Sequence, residues 1–517
     1  MLHTSCYTVF MKKALPYLGV FSATVLFFSL FQPWGSFRDP DAFYHAKMAS
    51  LLLERGILNQ FPWLDLTTLG ANFANQHFLF HVLDAPFVFF FGMLQGHQVA
   101  SVIFGASFIT AFFFVLRSLK IEKPYHWTAL LLILPPVIAR LNLGKASPIA
   151  LTFFFLGLLF VAKRAWKPLF FIMTLYVLAH GGWPLLILMA GVYLFGELIY
   201  EKYVLDKTWR KVTSFFDRTT LLTIGSLFSG ALAGVLIHPN RGALLEFLKT
   251  QIISIGVTTP FDRVLLGIEW RPYELPAFIF DFSFLWIMAL VLIFGFLFAR
   301  RRQVKPETMK WGVALGLCAA VFFALTLKSR RFGEYMGPMF VLWFAVLAQT
   351  IDWNAVRQEF LRTETSIKAL IIVLLIAAFG RGMWATYDFF HMNTRGFDRL
   401  VPALEVADQY LEPGDRLYHS NWALFPELFA NRDAYTYIAG LDPVFLLEAN
   451  PELSDAYTSL MVNGEGADAY EIIHNKFDSS IALFETRTDT DLIQSLKTDS
   501  RFELLFEDEA ATLFLVR

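Results

Sequence analysis

Long runs of apolar residues, separated by short polar stretches, occupy most of the chain up to about residue 390. A bilayer core needs roughly 20 apolar residues per helix, and fewer where a helix is buried in protein. The runs that meet this requirement predict membrane-spanning helices near 14–32, 98–116, 126–140, 148–162, 168–180, 184–200, 219–237, 276–299, 309–327, 333–351 and 367–386. One further apolar segment, 78–94, is ambiguous because it contains His81, Asp84 and Pro86.

The distribution of Lys and Arg decides whether 78–94 crosses the membrane, because short inner loops carry an excess of these residues. If the segment does not cross, the basic loops all fall on the inner side. These inner residues are Lys12, Lys13, Arg117, Lys120, Lys123, Lys163, Arg164, Lys167, the basic residues from Lys202 through Arg218, Arg300, Arg301, Arg302 and Lys305. If it does cross, every basic loop after it lies outside. We therefore predict an interfacial or re-entrant helix at 78–94 and about eleven spans.

This topology places several polar segments together on the outer face. They are 33–97, 140–147, 180–183, 238–275, 328–332 and the tail from about 387. One of them, "LKSRRFGEY", puts Lys328, Arg330 and Arg331 on the side where basic residues are disfavoured. Such a cluster indicates a local anion, and guanidinium groups suit phosphate because their fixed donors match its oxygens. The alternative is that these residues reach towards anionic headgroups or simply end a helix.

The pattern changes in residues 396–517, where apolar runs shorten and charged residues become more frequent. Short alternating pieces such as "RLYHS", "YTYIAG" and "SSIALFE" are typical of strands, and they are interleaved with helical stretches. The last piece, "FELLFEDEAATLFLVR", predicts a hairpin that turns at Glu507 to Glu509. We predict two domains: a transmembrane domain at 1–390 and a small extracytoplasmic α/β domain at 391–517.

Composition supports a mainly α-helical, polytopic membrane protein. Of the 517 residues, 56% are hydrophobic and 17% charged, which is too apolar for a water-soluble globule. The net charge of -1 provides no global attraction to nucleic acid. The two cysteines, Cys6 and Cys318, support neither a disulfide framework nor a thiolate metal site. The N-terminal run begins like a signal peptide but lacks a small-residue cleavage site, so we expect an uncleaved first span.

The stretch "FRDPDAFYHAKMASLLLERG", residues 37–56, combines carboxylates with a membrane boundary. Asp39 and Asp41 stand at or before the first turn of a predicted helix, where carboxylates cap backbone amides. A carboxylate there can also accept a proton from an attacking hydroxyl or hold a cation. His45 shares a helix face with Asp41, so it either hydrogen-bonds a substrate phosphate or pairs with the aspartate.

The outer loop 238–275 is long enough to carry function and contains "LGIEWRP". Its Glu269 either contacts substrate or pairs with Arg271 or Arg263 at the surface. The chain has no Walker-type phosphate loop, no H-E-x-x-H, no G-x-S-x-G and no basic-aromatic strand suited to nucleic acid. Those absences exclude several common classes of enzyme and binding protein.

With these residues placed, the chain resembles the GT-C class of membrane glycosyltransferases, and most closely the catalytic subunit of oligosaccharyltransferase. "DAFYHAKMASLLLERG" is similar to the D-x-Y-Y-H-x-R segment of that family, and "FPWLD" and "GANFANQHFLFHVL" follow it as in its outer loop. "RLNLGKASPIAL", "LGIEWRP" and "KSRRFGEYMGP" take the places of three later family motifs. The resemblance covers roughly residues 10–350, and its strength lies in the order and shared side of the motifs.

The resemblance implies roles for individual residues. Asp41 matches the essential acidic residue, Glu269 the glutamate that faces the acceptor, and Arg330 or Arg331 the arginine that holds the lipid-linked phosphate. The full set of expected site residues also includes Asp39, His45 and Arg140. The catalytic candidates are Asp41, Asp39 and Glu269, and the candidates for binding the lipid phosphate are Arg330, Arg331, His45 and Arg140.

Two departures limit what the resemblance implies. Where the family has its second acidic pair, this chain has Lys145, Ala146, Ser147 and Pro148, so a divalent metal between two loops would lack ligands. We name no metal ligands, and a requirement for Mn²⁺ or Mg²⁺ stays open. The C-terminal part also lacks W-W-D-Y-G, the acceptor-sequon reader, and has "HSNWALFPELF" and "YIAGLDPVF" instead. Peptide N-glycosylation is therefore not expected.

These observations predict a glycosyltransferase of the plasma membrane that transfers a sugar or oligosaccharide from a polyprenyl-phosphate-type lipid donor. The acceptor, whether glycan, lipid or protein, acts at the outer face, and no nucleic acid is involved. A transporter or flippase of lipid-linked substrates is the alternative, and Asp281 inside the span 276–299 supports it. A second alternative is a non-catalytic scaffold derived from such an enzyme, suggested by the missing acidic pair.

Overall fold

The computed structural model describes residues 2–204, 215–258, 260–298, 305–463 and 469–517. The chain divides into two compact units. The first, the span unit, comprises Met1–Gln32, Ser101–Leu236 and Arg271–Met392. The second, the sheet unit, comprises Pro33–Ala100, Ile237–Trp270 and Asn393–Arg517.

The span unit is built from helices of mostly apolar residues, and six of the described helices begin with a proline in the first turn, where the missing N–H costs nothing. The α-helices of this unit are Leu2–Phe31, Met93–Ser118 (which begins in the sheet unit), Pro124–Leu131, Pro135–Leu141, Ser147–Ala162, Trp166–Ala179, Pro184–Ile199, Arg218–Ile237, Leu275–Asp281, Ser283–Phe298, Pro306–Lys328, Gly333–Ala348, Trp353–Arg362 and Thr365–His391.

Among the described residues, 6 helices are long and apolar enough to cross a membrane, or up to 7 if the bent pair Leu275–Asp281 and Ser283–Leu297 is one span. The predicted number of about eleven is therefore not confirmed. The predicted span 126–140 is two short helices separated by Leu132 to Leu134. Ser147–Ala162 has 16 residues and Trp166–Ala179 has 14, which corresponds to about 24 Å and 21 Å at 1.5 Å per residue.

The basic residues expected on the inner side are only partly described. Lys207, Arg210, Lys211, Arg300, Arg301 and Arg302 lie outside the described residues. Arg164 is described, and it forms an ion pair with the fully buried Glu197, which also lies 3.6 Å from Lys310. These two contacts join the helices Pro184–Ile199 and Pro306–Lys328 to the turn that follows Ser147–Ala162.

The sheet unit mixes short helices with a small sheet. Its α-helices are Asp41–Arg55, Thr68–Ala71, Phe78–Phe91, Arg241–Lys249, Val401–Ala407, Phe425–Asn431, Val444–Ala449, Pro451–Asn463 and Thr490–Thr498. Its strands are β1 (Ser36–Phe37), β2 (Arg395–Gly396), β3 (Arg416–His419), β4 (Thr436–Tyr437), β5 (Ile481–Glu485), β6 (Phe502–Glu507) and β7 (Ala511–Val516). Shorter helical turns of both units are Pro62–Leu64, Tyr200–Val204, Thr250–Thr258, Ile268–Trp270, Arg330–Phe332, Trp422–Leu424 and Glu471–Lys476.

Five strands form one sheet in the order β4-β3-β5-β7-β6, while β1 and β2 pair separately. Strand β3 runs parallel to β4 and β5, and β7 runs antiparallel to β5 and β6. All five residues of β5 are buried, as expected for a central strand covered on both faces. The hairpin of β6 and β7 turns at Asp508, whose carboxylate accepts from the N–H groups of Ala510 and Ala511.

The segment 78–94 contains the 14-residue helix Phe78–Phe91, which ends at Gly92 before the long helix Met93–Ser118 begins. Gly92 has φ +84°, a value that L-residues rarely adopt, so the glycine allows the sharp turn between the helices. One face of the shorter helix buries Phe80, His81 and Asp84, while Phe89, Phe90 and Phe91 are all more than half exposed. The non-spanning role assigned to it stays a prediction.

Candidate functional site

Asp39 and Asp41 differ in their local environment. The Oδ1 atom of Asp39 accepts from the backbone N–H of Asp41 at 3.0 Å, just before the helix Asp41–Arg55 begins. Asp41 is the first residue of that helix and is half-buried. Burial and, to a smaller extent, the charge of Asp41 raise the pKa of the Tyr44 phenol. Asp39 thus stabilises the turn before the helix, and a catalytic role for Asp41 stays a prediction.

His45 lies inside the protein rather than at a surface. Its Nδ1 atom is 2.9 Å from Nε2 of His81, and its side chain is 5% exposed. The ring centroids of His77 and His97 lie 5.1 and 6.3 Å from that of His45. Burial, followed by the charges of His77 and His97, keeps the pKa of His81 well below its usual value. His45 thus pairs with His81, a partner that neither of the two predicted alternatives named.

The same helix is held against the C-terminal part of the sheet unit. Lys47 Nζ lies 3.3 Å from the Asp433 carboxylate, which also accepts from Arg55 at 2.8 Å. The indole N–H of Trp63 donates to the backbone carbonyl of Asp433 at 2.8 Å. The cations that follow Asp41 in the sequence therefore serve to anchor its helix.

Glu269 lies in the short helical turn Ile268–Trp270 and is half-buried. The neighbouring Trp270 is 8% exposed and packs in a cluster with Ile255, Val264 and Val444. Glu269 thus lies next to a tryptophan whose indole is buried in the sheet unit.

In the span unit, Arg330 is bound to the backbone before the bent helix pair. Its N–H donates to the carbonyl of Arg271 at 3.1 Å, and its Nε donates to the carbonyl of Pro272 at 3.2 Å. Its guanidinium carbon lies 5.2 Å from the centre of the Tyr273 ring. Burial and the charge of Asp281 raise the pKa of Tyr273, while Arg140 and Arg330 oppose this shift. Arg140 and Arg330, two of the residues predicted to bind the lipid phosphate, therefore both influence the pKa of the Tyr273 phenol.

A buried carboxylate that we did not predict joins two of the motif segments. Glu334 is 3% exposed, and its Oε2 accepts from the hydroxyl of Ser147 at 2.9 Å. The same oxygen lies 3.6 Å from Nε of Arg140. The segment around Lys145 thus packs on the "SRRFGEY" segment through Glu334. An acidic residue four positions before Pro338 gave no specific signal, but its place after the three basic residues Lys328, Arg330 and Arg331 could have suggested a partner.

The predicted site residues divide between the two units. Asp39, Asp41, His45 and Glu269 belong to the sheet unit, and Arg140, Arg330 and Arg331 belong to the span unit. Within the span unit, the structure brings Arg140 and the segment 330–334 together through Glu334. The contacts described above for these residues each join residues of the same unit.

The residues do not fit a divalent-metal site of the kind the family would imply. Among the described residues, no group of three or more His, Cys, Asp or Glu side chains is arranged to hold a metal ion. Ser147, which stands where an acid would be expected, donates its hydroxyl to Glu334. Asp39 uses one carboxylate oxygen on the N–H of Asp41. Hard cations require several oxygen ligands, so we derive no step that passes through a metal.

Comparison with solved structures finds the same fold in two proteins. Over 97% of this chain and 98% of the other, it matches ArnT from Cupriavidus metallidurans bound to undecaprenyl phosphate, with a TM-score of 0.56 and 14% identity. Over 97% of this chain it also matches the arabinofuranosyltransferase AftD from Mycobacteria, with a TM-score of 0.59 and 12% identity. The chain spans 40% of the length of that protein. No protein-family model and no curated protein sequence matches the chain.

These matches confirm the predicted GT-C-like fold at a coarse level. Together with the long apolar helices, they identify a membrane protein. The more specific resemblance to the catalytic subunit of oligosaccharyltransferase is not confirmed.

Proposed function

We propose that this protein is a glycosyltransferase that takes a sugar or oligosaccharide from a polyprenyl-phosphate donor at the outer face of the plasma membrane. The proposal rests on contacts that connect three motif segments in the span unit. Arg330 binds the backbone of Arg271 and Pro272, and Glu334 binds Ser147 beside Arg140. Guanidinium groups gathered where membrane helices end suit a lipid-linked phosphate.

The two solved structures support the same chemistry. ArnT was solved with undecaprenyl phosphate, and AftD is an arabinofuranosyltransferase. The fold shared over 97% of this chain accommodates a polyprenyl phosphate in one protein and sugar transfer in another. The identity of the sugar and the acceptor does not follow from this likeness.

The proposed reaction is a single displacement with inversion. A nucleophilic group of the acceptor attacks the anomeric carbon while the bond from that carbon to the phosphate oxygen breaks. The proton of the nucleophile passes to Asp41, and the polyprenyl phosphate leaves with the electron pair. Arg140, Arg330 and Arg331 neutralise the charge that develops on the phosphate, which is the electrostatic part of such catalysis. Glu269 contacts the acceptor.

Two carboxylates, Asp39 and Asp41, provide a matched test of this function. Asp41→Asn retains size and hydrogen bonding but removes the charge, so we expect turnover to fall by about 10²–10⁴-fold with the fold intact. Asp39→Asn still accepts from the N–H of Asp41 and should cost less than roughly 1 kcal/mol of stability. The measurement is release of undecaprenyl phosphate from a panel of undecaprenyl-phosphate-linked pentoses and hexoses in nanodiscs. Loss of transfer in Asp39→Asn alone would shift the assignment by two residues.

One observation favours the transporter alternative. Leu275–Asp281 and Ser283–Leu297 are bent by 71°, so Asp281 lies at a break in an apolar helix pair. Broken helices with an ionisable residue are typical of transport sites. A liposome assay that follows a fluorescent polyprenyl-phosphate sugar from one leaflet to the other separates the functions. Leaflet exchange that depends on Asp281, with no sugar transfer by the wild type, would replace our proposal.

A further inference from the structure

The segments "HSNWALFPELF" and "YIAGLDPVF" have no role in the function proposed so far. Both contact the late outer segment, which we define as residues 241–258 and 260–270. The indole N–H of Trp422 donates to the carbonyl of Leu265 at 2.8 Å. Val444 packs with Ile255, Val264, Leu266 and Trp270, and the ring of Phe445 stacks on Phe247 with centroids 5.3 Å apart.

A single carboxylate adds a second attachment. Glu448 accepts from the hydroxyl of Thr250 at 2.6 Å and from that of Ser254 at 2.5 Å. Hydrogen bonds to a carboxylate are short and about twice as strong as neutral ones. Thr250 and Ser254 lie in the π-helical turn Thr250–Thr258, a conformation with poor intrinsic stability that occurs mostly in short stretches. The two hydroxyls therefore tie a weak helical turn to the helix Val444–Ala449.

A third contact is more exposed. Nη2 of Arg263 lies 3.0 Å from both carboxylate oxygens of Asp455, but both side chains are well exposed to solvent. Surface ion pairs of this kind contribute little. The attachment of the late outer segment thus rests on Trp422, Glu448 and the apolar cluster around Trp270, the residue that follows Glu269.

We propose that Trp422 and Glu448 form a latch that holds the late outer segment on the C-terminal part of the sheet unit, and that they are positioning residues for Glu269. The positioning role rests on the proposed glycosyltransferase function, in which Glu269 contacts the acceptor. Small displacements of a reacting group are costly, since a shift of about 1 Å can lower a rate about 10²-fold. The two C-terminal segments and Glu448 thus hold the late outer segment in place before the acceptor arrives.

The test uses the full-length protein in nanodiscs. Glu448→Ala and Trp422→Phe remove the latch bonds, Glu448→Gln keeps an acceptor oxygen, and Glu452→Ala is the control at an exposed glutamate nearby. Hydrogen exchange is followed in residues 250–258 and 260–270, with β5 and β7 as internal references. We expect exchange of the late outer segment to rise at least about tenfold in the first two variants and to stay near wild type in the other two.

Kinetics then separate positioning from folding. Glu448→Ala and Trp422→Phe should lower kcat about tenfold to a hundredfold without changing KM for the lipid donor. In a Glu269→Gln background, the same substitutions should have no further effect, because the latch acts through Glu269. An additive loss would overturn the positioning role.

The two proposals fail in different ways. Unchanged exchange in both latch variants would overturn the latch, whatever the activity. Raised exchange with wild-type kcat would overturn the positioning of Glu269. A wild-type protein that transfers no sugar would overturn the proposed function, and exchange alone would then decide whether the latch exists.

Discussion

Two buried ionic networks, one in each unit, differ in how their charges balance. In the sheet unit, Glu427 is fully buried and accepts from Arg399 at 3.0 and 2.8 Å and from Arg395 at 3.1 Å. Both arginines also pair with Glu485, at 3.4 Å for Arg395 and 3.2 Å for Arg399. Two cations thus meet two carboxylates, and the bidentate contact of Arg399 raises the pKa of its guanidinium despite burial.

The two segments that Glu334 connects in the span unit differ from this network in their composition. The segments 140–147 and 328–334 contain the basic residues Arg140, Lys145, Lys328, Arg330 and Arg331 but only one acidic residue, Glu334. Its contact with Arg140 is 3.6 Å long, and its hydrogen bond goes to the neutral Ser147. A network with matched charges holds a fold together, whereas an excess of cations near a membrane boundary suits an anionic ligand.

The largest effect is expected from a substitution that breaks the balanced network. Glu427→Ala leaves Arg395 and Arg399 partly buried with one carboxylate between them, so we expect the free energy of unfolding of the sheet unit to fall by about 3–5 kcal/mol. Glu334→Ala removes one hydrogen bond to Ser147 and a long ion pair, and should cost about 1–3 kcal/mol. Hydrogen exchange of the β5 and β7 amides measures the first change. Equal losses in both variants would remove the distinction between the networks.

The second prediction concerns ligand binding. Arg140→Gln removes one guanidinium from the cationic segments, and a hydrogen bond to a charged group contributes about 1.5–3 kcal/mol, so affinity for undecaprenyl phosphate should fall at least about tenfold. Arg362→Gln, at an exposed helix end with a side chain 72% exposed, is the matched control. Titration in nanodiscs measures both affinities. Equal affinities in the two variants would mean that Arg140 does not contact the phosphate.

The third prediction uses pH to perturb the sheet unit. Burial lowers the pKa of His419 to about 4, although the carbonyl of Asn421, 2.9 Å from Nδ1, opposes the shift. Because the folded state favours the neutral imidazole, its contribution is fully present above about pH 6.5 and is lost as pH falls from there towards about 4. We expect the stability of the sheet unit, measured by denaturant unfolding, to decline over this window. His419→Gln should flatten the decline and His474→Gln should not.

The smallest expected effect is that of metal removal. Because the sequence has Lys145 and Ser147 where the resemblance would place acids, we expect EDTA to leave most of the transfer activity intact. The assay is release of undecaprenyl phosphate before and after chelation. Loss of activity that Mn²⁺ or Mg²⁺ restores would contradict this, and Asp39, Asp41 and Glu269 would become the ligand candidates.

Local patterns in the sequence anticipated local structure. The sequence placed Asp39 and Asp41 at or before the first turn of a helix, where carboxylates cap backbone amides, and Asp39 does accept from the Asp41 N–H. Alternating apolar residues indicated β5 and the hairpin of β6 and β7. These features depend on chain neighbours, whose side-chain periods and turn chemistry can be read directly.

Contacts between residues that lie far apart in the chain could not be predicted from the sequence. Glu334 meets Ser147 across 187 positions and His45 meets His81 across 36, and neither acid nor imidazole specifies such a partner by itself. The number of spans predicted from hydropathy also exceeds the number of long apolar helices among the described residues, because hydropathy does not show where prolines such as Pro135 divide a run. The long-range contacts and the division of apolar runs into helices have the same cause, because both depend on packing rather than on local sequence pattern.

The most direct test of the central claim is to locate a bound polyprenyl phosphate. We would label the wild-type protein in nanodiscs with a photoreactive undecaprenyl-phosphate analogue and identify the modified peptides by mass spectrometry. We predict labelling in residues 140–147 or 328–334 of the span unit, suppressed by excess undecaprenyl phosphate. Labelling confined to the sheet unit around Glu427 and Glu485, or labelling that the natural lipid does not suppress, would contradict the account.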